Sequence, residues 1–187
     1  MSDPIVLMAI SKSYEIADLM LVARELNNQR SVAATGTLFG QPEQPKSIAR
    51  VIGVHHDTPE EEILKFLSKE TTILILGIDE TNQNLTPFLV IAERAKLLDI
   101  LVCIYSADPV FHTKFDAISP DLQSFRTCIS CCFWSGECPE TKTRIQEIFK
   151  DAGVISGCNV KRNPNGAQSI ARHIEEIWLS HVARKCQ

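Results

Sequence analysis

Continuous apolar runs alternate with helix-like segments along the first 105 residues of the chain. Residues 5–10 (IVLMAI) are all apolar, which is typical of a strand whose two faces are both covered in a parallel sheet. Residues 12–27 follow with apolar side chains spaced as on one face of a helix. These side chains are Ile16, Leu19, Met20, Ala23 and Leu26. The pattern predicts a strand followed by a helix that packs on the sheet.

The same alternation continues through the first half of the chain. Further strands are predicted over residues 31–34, 51–54, 72–76 and 100–105, and helices over residues 58–69 and 86–97. A glycine and two prolines mark residues 38–45 as a loop. Thr58 is predicted to cap its helix, with Pro59 at the first helical position and Glu61 closing a capping box.

The second half of the chain has a weaker pattern. No clear period is visible over residues 110–125. The pattern further along the chain predicts a strand over residues 127–133 and helices over residues 140–151 and 166–185. Strand–helix alternation favours right-handed crossovers. We therefore predict a three-layer α/β fold with a doubly wound, mostly parallel sheet of five to six strands. Residues 1–187 are expected to form a single domain, in which residues 109–187 complete a core made by residues 1–108.

The composition of the chain excludes some classes of protein function. The chain has 187 residues, a net charge of −4, 44% hydrophobic and 22% charged residues, which are ordinary values for a soluble globular domain. No apolar run reaches the roughly 18 residues of a membrane span, and no basic stripe indicates a nucleic-acid polymer as partner. The N-terminus has no basic region before its apolar run, and it carries Asp3, so we expect a cytoplasmic protein.

Seven cysteines raise the question of a metal or redox site. Four of them, Cys128, Cys131, Cys132 and Cys138, follow a C-x2-C-C-x5-C spacing. A zinc or iron–sulfur site usually needs a second short Cys/His pair, which the chain lacks nearby. We favour buried, reduced cysteines in a strand, with a metal site and a reactive thiol as alternatives. No cofactor is expected.

An anion site is predicted from Thr35, Gly36 and Thr37. If residues 31–34 form a strand, this bend ends it, and its N–H and O–H donors can bind a phosphate or carboxylate. Lys12 and Ser13 follow the first strand and can face the same anion. A plain tight turn is the alternative. The glycine fingerprints of dinucleotide and P-loop sites are absent.

A second candidate group is His55, His56 and Asp57, which follows the strand at residues 51–54. A histidine beside a carboxylate can carry out acid/base chemistry, with Asp57 as the catalytic group. The alternative is that Asp57 is there only because a polar residue of this type favours the start of the helix that follows. We expect no metal site here, because neighbouring side chains on an extended chain point in opposite directions.

A third candidate group is the acidic turn with Asp79, Glu80 and Asn82, after the strand at residues 72–76. Asp79 and Asn82 can bind a sugar hydroxyl, and Glu80 can act as a catalytic carboxylate. The alternative is a solvated loop. In the second half, an anion can meet Arg144, Lys161 and Arg162, although charged residues are mostly surface residues.

Residues 5–106 resemble the methylglyoxal synthase-like fold. The segment IVLMAISKS is similar to that family's opening strand and turn, and SVAATGT is similar to its A-T-G-T signature. The resemblance implies that Lys12, Thr35, Gly36 and Thr37 bind a phosphate or phosphoester. The same fold serves the allosteric domain of carbamoyl phosphate synthetase and the cyclohydrolase domain of purine biosynthesis, which implies phosphorylated small molecules as ligands.

Two departures from the family's pattern argue against true synthase activity. The family's Gly-Gly-Asp-Gln stretch corresponds here to His55, His56, Asp57 and Thr58, and residues 79–87 lack the family's histidine. A second resemblance is to flavodoxin-like and nucleotide-processing α/β folds. It implies that a sixth strand (TCISCCF) and the terminal helix belong to the same sheet.

Three functions follow as hypotheses. The leading one is a regulatory protein that binds a phosphorylated metabolite or nucleotide. The second is an enzyme acting on a phosphorylated or N-glycosidic substrate, with Asp57 or Glu80 as acid/base. The third is an interaction module that has lost its ligand site. Homo-oligomerisation is expected for a small α/β domain of this kind.

Overall fold

The computed structural model describes residues 5–11, 13–35, 49–67, 71–78, 84–106, 115–160 and 165–186. The strands are β1 (Ile5–Ser11), β2 (Ala49–His55), β3 (Ile73–Gly77), β4 (Leu101–Ser106), β5 (Cys131–Trp134) and β6 (Gly153–Ile155). The helices are α1 (Ser13–Thr35), α2 (Glu60–Phe66), α3 (Thr86–Leu97), α4 (Phe115–Ser124), α5 (Pro139–Ile148) and α6 (Gly166–Lys185), and a 3-10 turn spans Phe125–Thr127.

All six strands belong to one parallel sheet with the order β2-β1-β3-β4-β5-β6. The predicted α/β class with a doubly wound parallel sheet is confirmed. Its first five strands follow the flavodoxin-like order 2-1-3-4-5. Strands β5 and β6 extend that sheet beyond β4, in the direction that the second resemblance implies.

Alternate side chains along each strand enter two separate apolar layers. One layer packs under α1 and α6 and includes Leu7, Ile75 and Cys103. The other packs under α2, α3, α4 and α5 and includes Met8, Leu74 and Ile104. Strands β1, β3, β4 and β5 are buried on both faces, which is why they read as continuous apolar runs in the sequence.

The strand predicted over residues 31–34 is wrong, because these residues continue α1 to Thr35. Two adjacent alanines are strong helix formers, and each residue added to an existing helix gains a hydrogen bond without a new nucleation cost. The helix face also differs from the expected one. Met20 is 60% exposed, whereas Leu19 and Val22 are fully buried.

The predicted cap of α2 is also wrong. Pro59 occupies the N-cap position, no side chain caps the helix, and the amide of Ile63 donates to the carbonyl oxygen of Pro59. The helix ends at Phe66 rather than at residue 69. Three glutamates in its first turn lie at the positive end of the helix dipole instead, and they are Glu60, Glu61 and Glu62.

Two elements were not predicted from the pattern. Helix α4 carries Pro120 in its interior, and strand β6 has three residues, too few for a recognisable period. The strand predicted over residues 127–133 is β5, which begins later, at Cys131, and ends at Trp134; a 3-10 turn at Phe125–Thr127 and three further residues precede it. The predicted limits of α3 and α6 agree with the structure.

Candidate functional site

The order of the strands reverses between β1 and β3 at the carboxyl edge of the sheet. The helix after β1 packs on one face and the helix after β3 on the other. The helices that follow these two strands therefore lie on opposite faces of the sheet. In doubly wound sheets, this arrangement creates the crevice in which ligands bind. The candidate site lies at this edge.

Two buried hydroxyl groups lie along this edge. Ser11 ends β1 and is 1% exposed, and Ser106 ends β4 and is fully buried. Helix α1 begins at Ser13, directly after β1. The first N–H groups of a helix have no partners within it and carry partial positive charge, so this end of α1 suits an anion.

The group of His55, His56 and Asp57 lies one strand away, at the end of β2. His55 pairs with Ser11 in the β1–β2 register, and the amide of His56 donates to the carbonyl oxygen of Ser11 at 3.1 Å. Each histidine Nδ1 lies 3.5 Å from a different carboxylate oxygen of Asp57. The ring centroids of the two histidines are 4.6 Å apart. The turn therefore brings all three side chains together.

Asp18 is a buried carboxylate that the sequence analysis missed. It lies on the second turn of α1 and is 5% exposed, and the hydroxyl of Tyr105 donates to its Oδ2 at 3.3 Å. A pattern signal was available, since Asp18 precedes Val22 by four residues and thus shares the buried face of α1.

The structure separates two predicted parts of the anion site. Ser13 starts α1 and Thr35 ends it, about 33 Å apart at 1.5 Å per residue. Asn27 exchanges two hydrogen bonds with the backbone of Ala49, the first residue of β2, at 3.0 and 2.9 Å. Thr35, eight residues further on, therefore lies at the amino edge of the sheet, opposite Ser13.

Several predicted site residues lie outside the described residues. They are Lys12, Gly36, Thr37, Asp79, Glu80, Asn82, Lys161 and Arg162. Of Ser13 and Thr35, the structure describes the backbone but not the side chains. His55 and Asp57 are described and lie where the sequence predicted them, at the carboxyl end of a strand.

The cysteine-rich segment does not form one site. Cys131 and Cys132 are adjacent on β5, and their side chains enter opposite apolar layers. They therefore cannot ligate the same ion. Burial raises the pKa of the Cys131 and Cys158 thiols to about 12, and the pKa of the Cys103 thiol is raised well above its usual value for the same reason. These thiols are protonated and behave as small apolar side chains.

Cys138 differs from these buried thiols. It occupies the N-cap position of α5 and is partly exposed. A hydrogen bond from the backbone of Thr141 is the main cause that lowers the pKa of this thiol. The N-terminus of a helix favours the thiolate form of a cysteine.

Arg144 lines an open groove between α4 and α5, with a volume of about 490 Å³. Arg126 and Lys150 add positive charge to the groove, and Glu147 adds negative charge. Arg144 itself forms an ion pair with Asp116. The groove lies near the amino edge of the sheet, because the 3-10 turn before β5 contributes to it.

None of the helices in the described ranges combines the length and the apolar character that a membrane-spanning helix requires. No protein-family model matches the chain. No curated protein shows significant sequence similarity to it.

Proposed function

We propose that this protein binds a small phosphorylated molecule, a metabolite or a nucleotide, at the carboxyl edge of its sheet between β1 and β3, and that it is regulatory rather than catalytic. The observation that carries the proposal is the reversal of strand order at this position. Such a crevice is the usual ligand site of open parallel sheets, including those with this strand order.

The chemistry of the crevice supports an anionic ligand. Helix α1 has 23 residues and begins at Ser13, so its N-terminal amides and its dipole favour negative charge at this edge. Lys12 lies between Ser11 and Ser13 in the chain and adds a positive charge. Thr35 is not part of the proposed site, since α1 carries it to the opposite edge.

Catalysis makes a demand that binding does not. A general acid or base must reach the reacting atom of the substrate, and the carboxylate of Asp18, which is 5% exposed, already accepts a hydrogen bond from Tyr105. Binding requires only N–H and O–H donors and positive charge around the anion.

Thermal unfolding with added ligands tests this proposal. The probes are inorganic phosphate, a sugar phosphate and a nucleoside monophosphate. A probe at 100 times its dissociation constant stabilises the protein by about 2.7 kcal/mol. For a chain of this length, that corresponds to a rise in Tm of about 5–10 °C. We expect Lys12→Ala to abolish most of this rise.

Two control variants make the result specific. Lys65→Ala removes an exposed lysine from the last turn of α2, and Thr35→Ala alters a threonine that the sequence alone favours and that α1 carries to the opposite edge of the sheet. Both should retain the full rise in Tm. The proposal is wrong if no probe raises Tm, or if Lys65→Ala abolishes the rise as fully as Lys12→Ala does. Chemical conversion of a stabilising probe would instead favour the enzymatic alternative.

A further inference from the structure

We propose that His55, His56 and Asp57 bind a divalent transition-metal ion, of the class that includes Zn²⁺ and Ni²⁺. Within the part of the chain that the structure describes, they form the only group of at least three His, Cys, Asp or Glu residues with converging ligand atoms. No two of these three ligand atoms are more than 4.8 Å apart.

The spacing of the ligand atoms suits a tetrahedral ion. With metal–ligand bonds of about 2.0–2.1 Å, neighbouring ligand atoms around such an ion are about 3.3 Å apart. The Nδ1 of His55 lies 3.5 Å from Oδ2 of Asp57, and the Nδ1 of His56 lies 3.5 Å from Oδ1. Both nitrogen–oxygen separations are therefore close to the value that two ligands of one ion require, each with a different oxygen of Asp57.

The backbone explains why two adjacent histidines converge here, contrary to the sequence-based expectation. Strand β2 ends at His55, and the chain turns at His56 and Asp57. The amide of Thr58 donates to the carbonyl oxygen of His55 at 3.0 Å, which closes the turn. The alternation of side chains that applies within a strand therefore does not extend to His56.

The Nδ1 atom of His55 already points into the cluster. The backbone amide of Asp57 approaches it at 3.4 Å as a donor. A nitrogen that accepts this contact directs its lone pair at the backbone amide of Asp57. That lone pair is the one a metal ion would use, and a bound ion would replace this long contact with a coordinate bond.

The ligand set selects the class of metal. Imidazole nitrogens suit Zn²⁺, Ni²⁺ and Cu²⁺, whereas Mg²⁺ and Ca²⁺ prefer oxygen ligands. Three protein ligands leave a coordination position open for water or another ligand. The side chain of Asp57 is 76% exposed, so an ion can enter from solvent.

Isothermal titration calorimetry with NiCl₂ tests the site on the untagged full-length chain. Cys138→Ser and Cys186→Ser are present throughout, because these are the two cysteines that are not buried. We expect one equivalent of Ni²⁺ to bind and MgCl₂ to give no heat. His56→Gln and Asp57→Asn should each weaken Ni²⁺ binding by about tenfold or more, as loss of even a supporting residue typically does. His173→Gln, on α6, is the matched control and should bind as the parent does.

A second measurement locates the ion. In long-range ¹H–¹⁵N spectra of the histidine rings, one equivalent of ZnCl₂ should shift His55 and His56 together and leave His173 and His181 in place. Equal Ni²⁺ affinity in His56→Gln and the parent, or Zn²⁺ shifts confined to other histidines, would overturn the proposal. Circular dichroism without metal should give the same Tm for the parent and all variants, so that weaker binding reflects lost ligands. The titrations contain no phosphate compound. They therefore test the metal site independently of the proposed phosphate-binding function.

Discussion

Leu19 and Met20 are neighbours on α1, but only Leu19 contributes to the core. Leu19 is fully buried in the layer under α1 and α6, while Met20 is 60% exposed. We expect Leu19→Ala to lower the free energy of unfolding by about 2–5 kcal/mol, because it leaves a cavity. Met20→Ala should change it by about 0.5 kcal/mol or less. Urea denaturation of both variants measures this difference, and equal losses would mean that α1 presents a different face to the sheet.

The sequence predicted His55, His56 and Asp57 as a candidate group, but not that both histidine side chains converge on Asp57. His55 and Asp57 were identified because they follow an apolar run and precede a helix start. Their convergence with His56 depends on where β2 ends, a boundary that pattern does not set to one residue. Asp18 was missed because its burial becomes evident only once the buried face of α1 is known.

At the scale of elements, the end of α3 contacts the end of α6. Helix α3 closes with Asp99 in the left-handed region (φ 61°), and the amide of Ile100 donates to the carbonyl oxygen of Ala95, as in a Schellman motif. Asp99 forms an ion pair with Lys185 of α6, and its Oδ1 lies 3.5 Å from Nε2 of His181. The hydrogen bond from Lys185 is the main cause that lowers the pKa of Asp99.

The burial of His181 at this contact predicts that stability falls in mild acid. Burial is the main cause that lowers the pKa of His181 below 6.5, and the positive charges of Lys185 and Arg184 act in the same direction, against the attraction of Asp99. The folded state therefore favours the neutral ring. The stabilising effect of the neutral His181 ring is complete above pH 6.5. It is lost as the pH falls from 6.5 toward the lowered pKa of His181. We expect His181→Gln to lose less stability than the parent between pH 7.5 and 5.5.

Urea unfolding at both pH values measures that difference. His173→Gln is the control, because His173 lies on the same helix and its Nδ1 contacts the carbonyl oxygen of Ser169 instead. Parallel losses in the parent and in His181→Gln would contradict the prediction. The contribution of Asp99 to stability is lost only in stronger acid, near and below the ordinary aspartate pKa of 3.8. It therefore does not affect the comparison between pH 7.5 and 5.5.

At the scale of the whole molecule, the second half of the chain completes the sheet begun by the first. Strand β5 pairs with β4, and α6 covers the same layer as α1. A fragment of residues 1–108 would leave β4 as an unpaired edge and expose Tyr105, which is fully buried in the whole protein. We expect this fragment to aggregate or to lack cooperative unfolding. Size-exclusion chromatography and thermal circular dichroism test this, and a monomeric fragment with a sharp transition would contradict it.

The predictions that succeeded depended on strong local signals. Helix α3 has Pro87 in its first turn and a clear apolar face, and the buried strands are continuous apolar runs. The predictions that failed lacked such signals. The segment at residues 31–34 is too short for its pattern to distinguish a strand from the end of a helix. Strand β6 is too short to show a period at all.

The α/β class, the parallel sheet and most of its elements follow from local sequence, because burial on two faces imposes apolar runs that are visible without coordinates. Which edge of the sheet a site residue reaches depends on the folded chain. Helix α1 carries Thr35 to the edge opposite Ser13, and the pairing of β2 with β1 brings His55 beside Ser11. Both depend on contacts between residues far apart in the chain, which a local pattern does not encode.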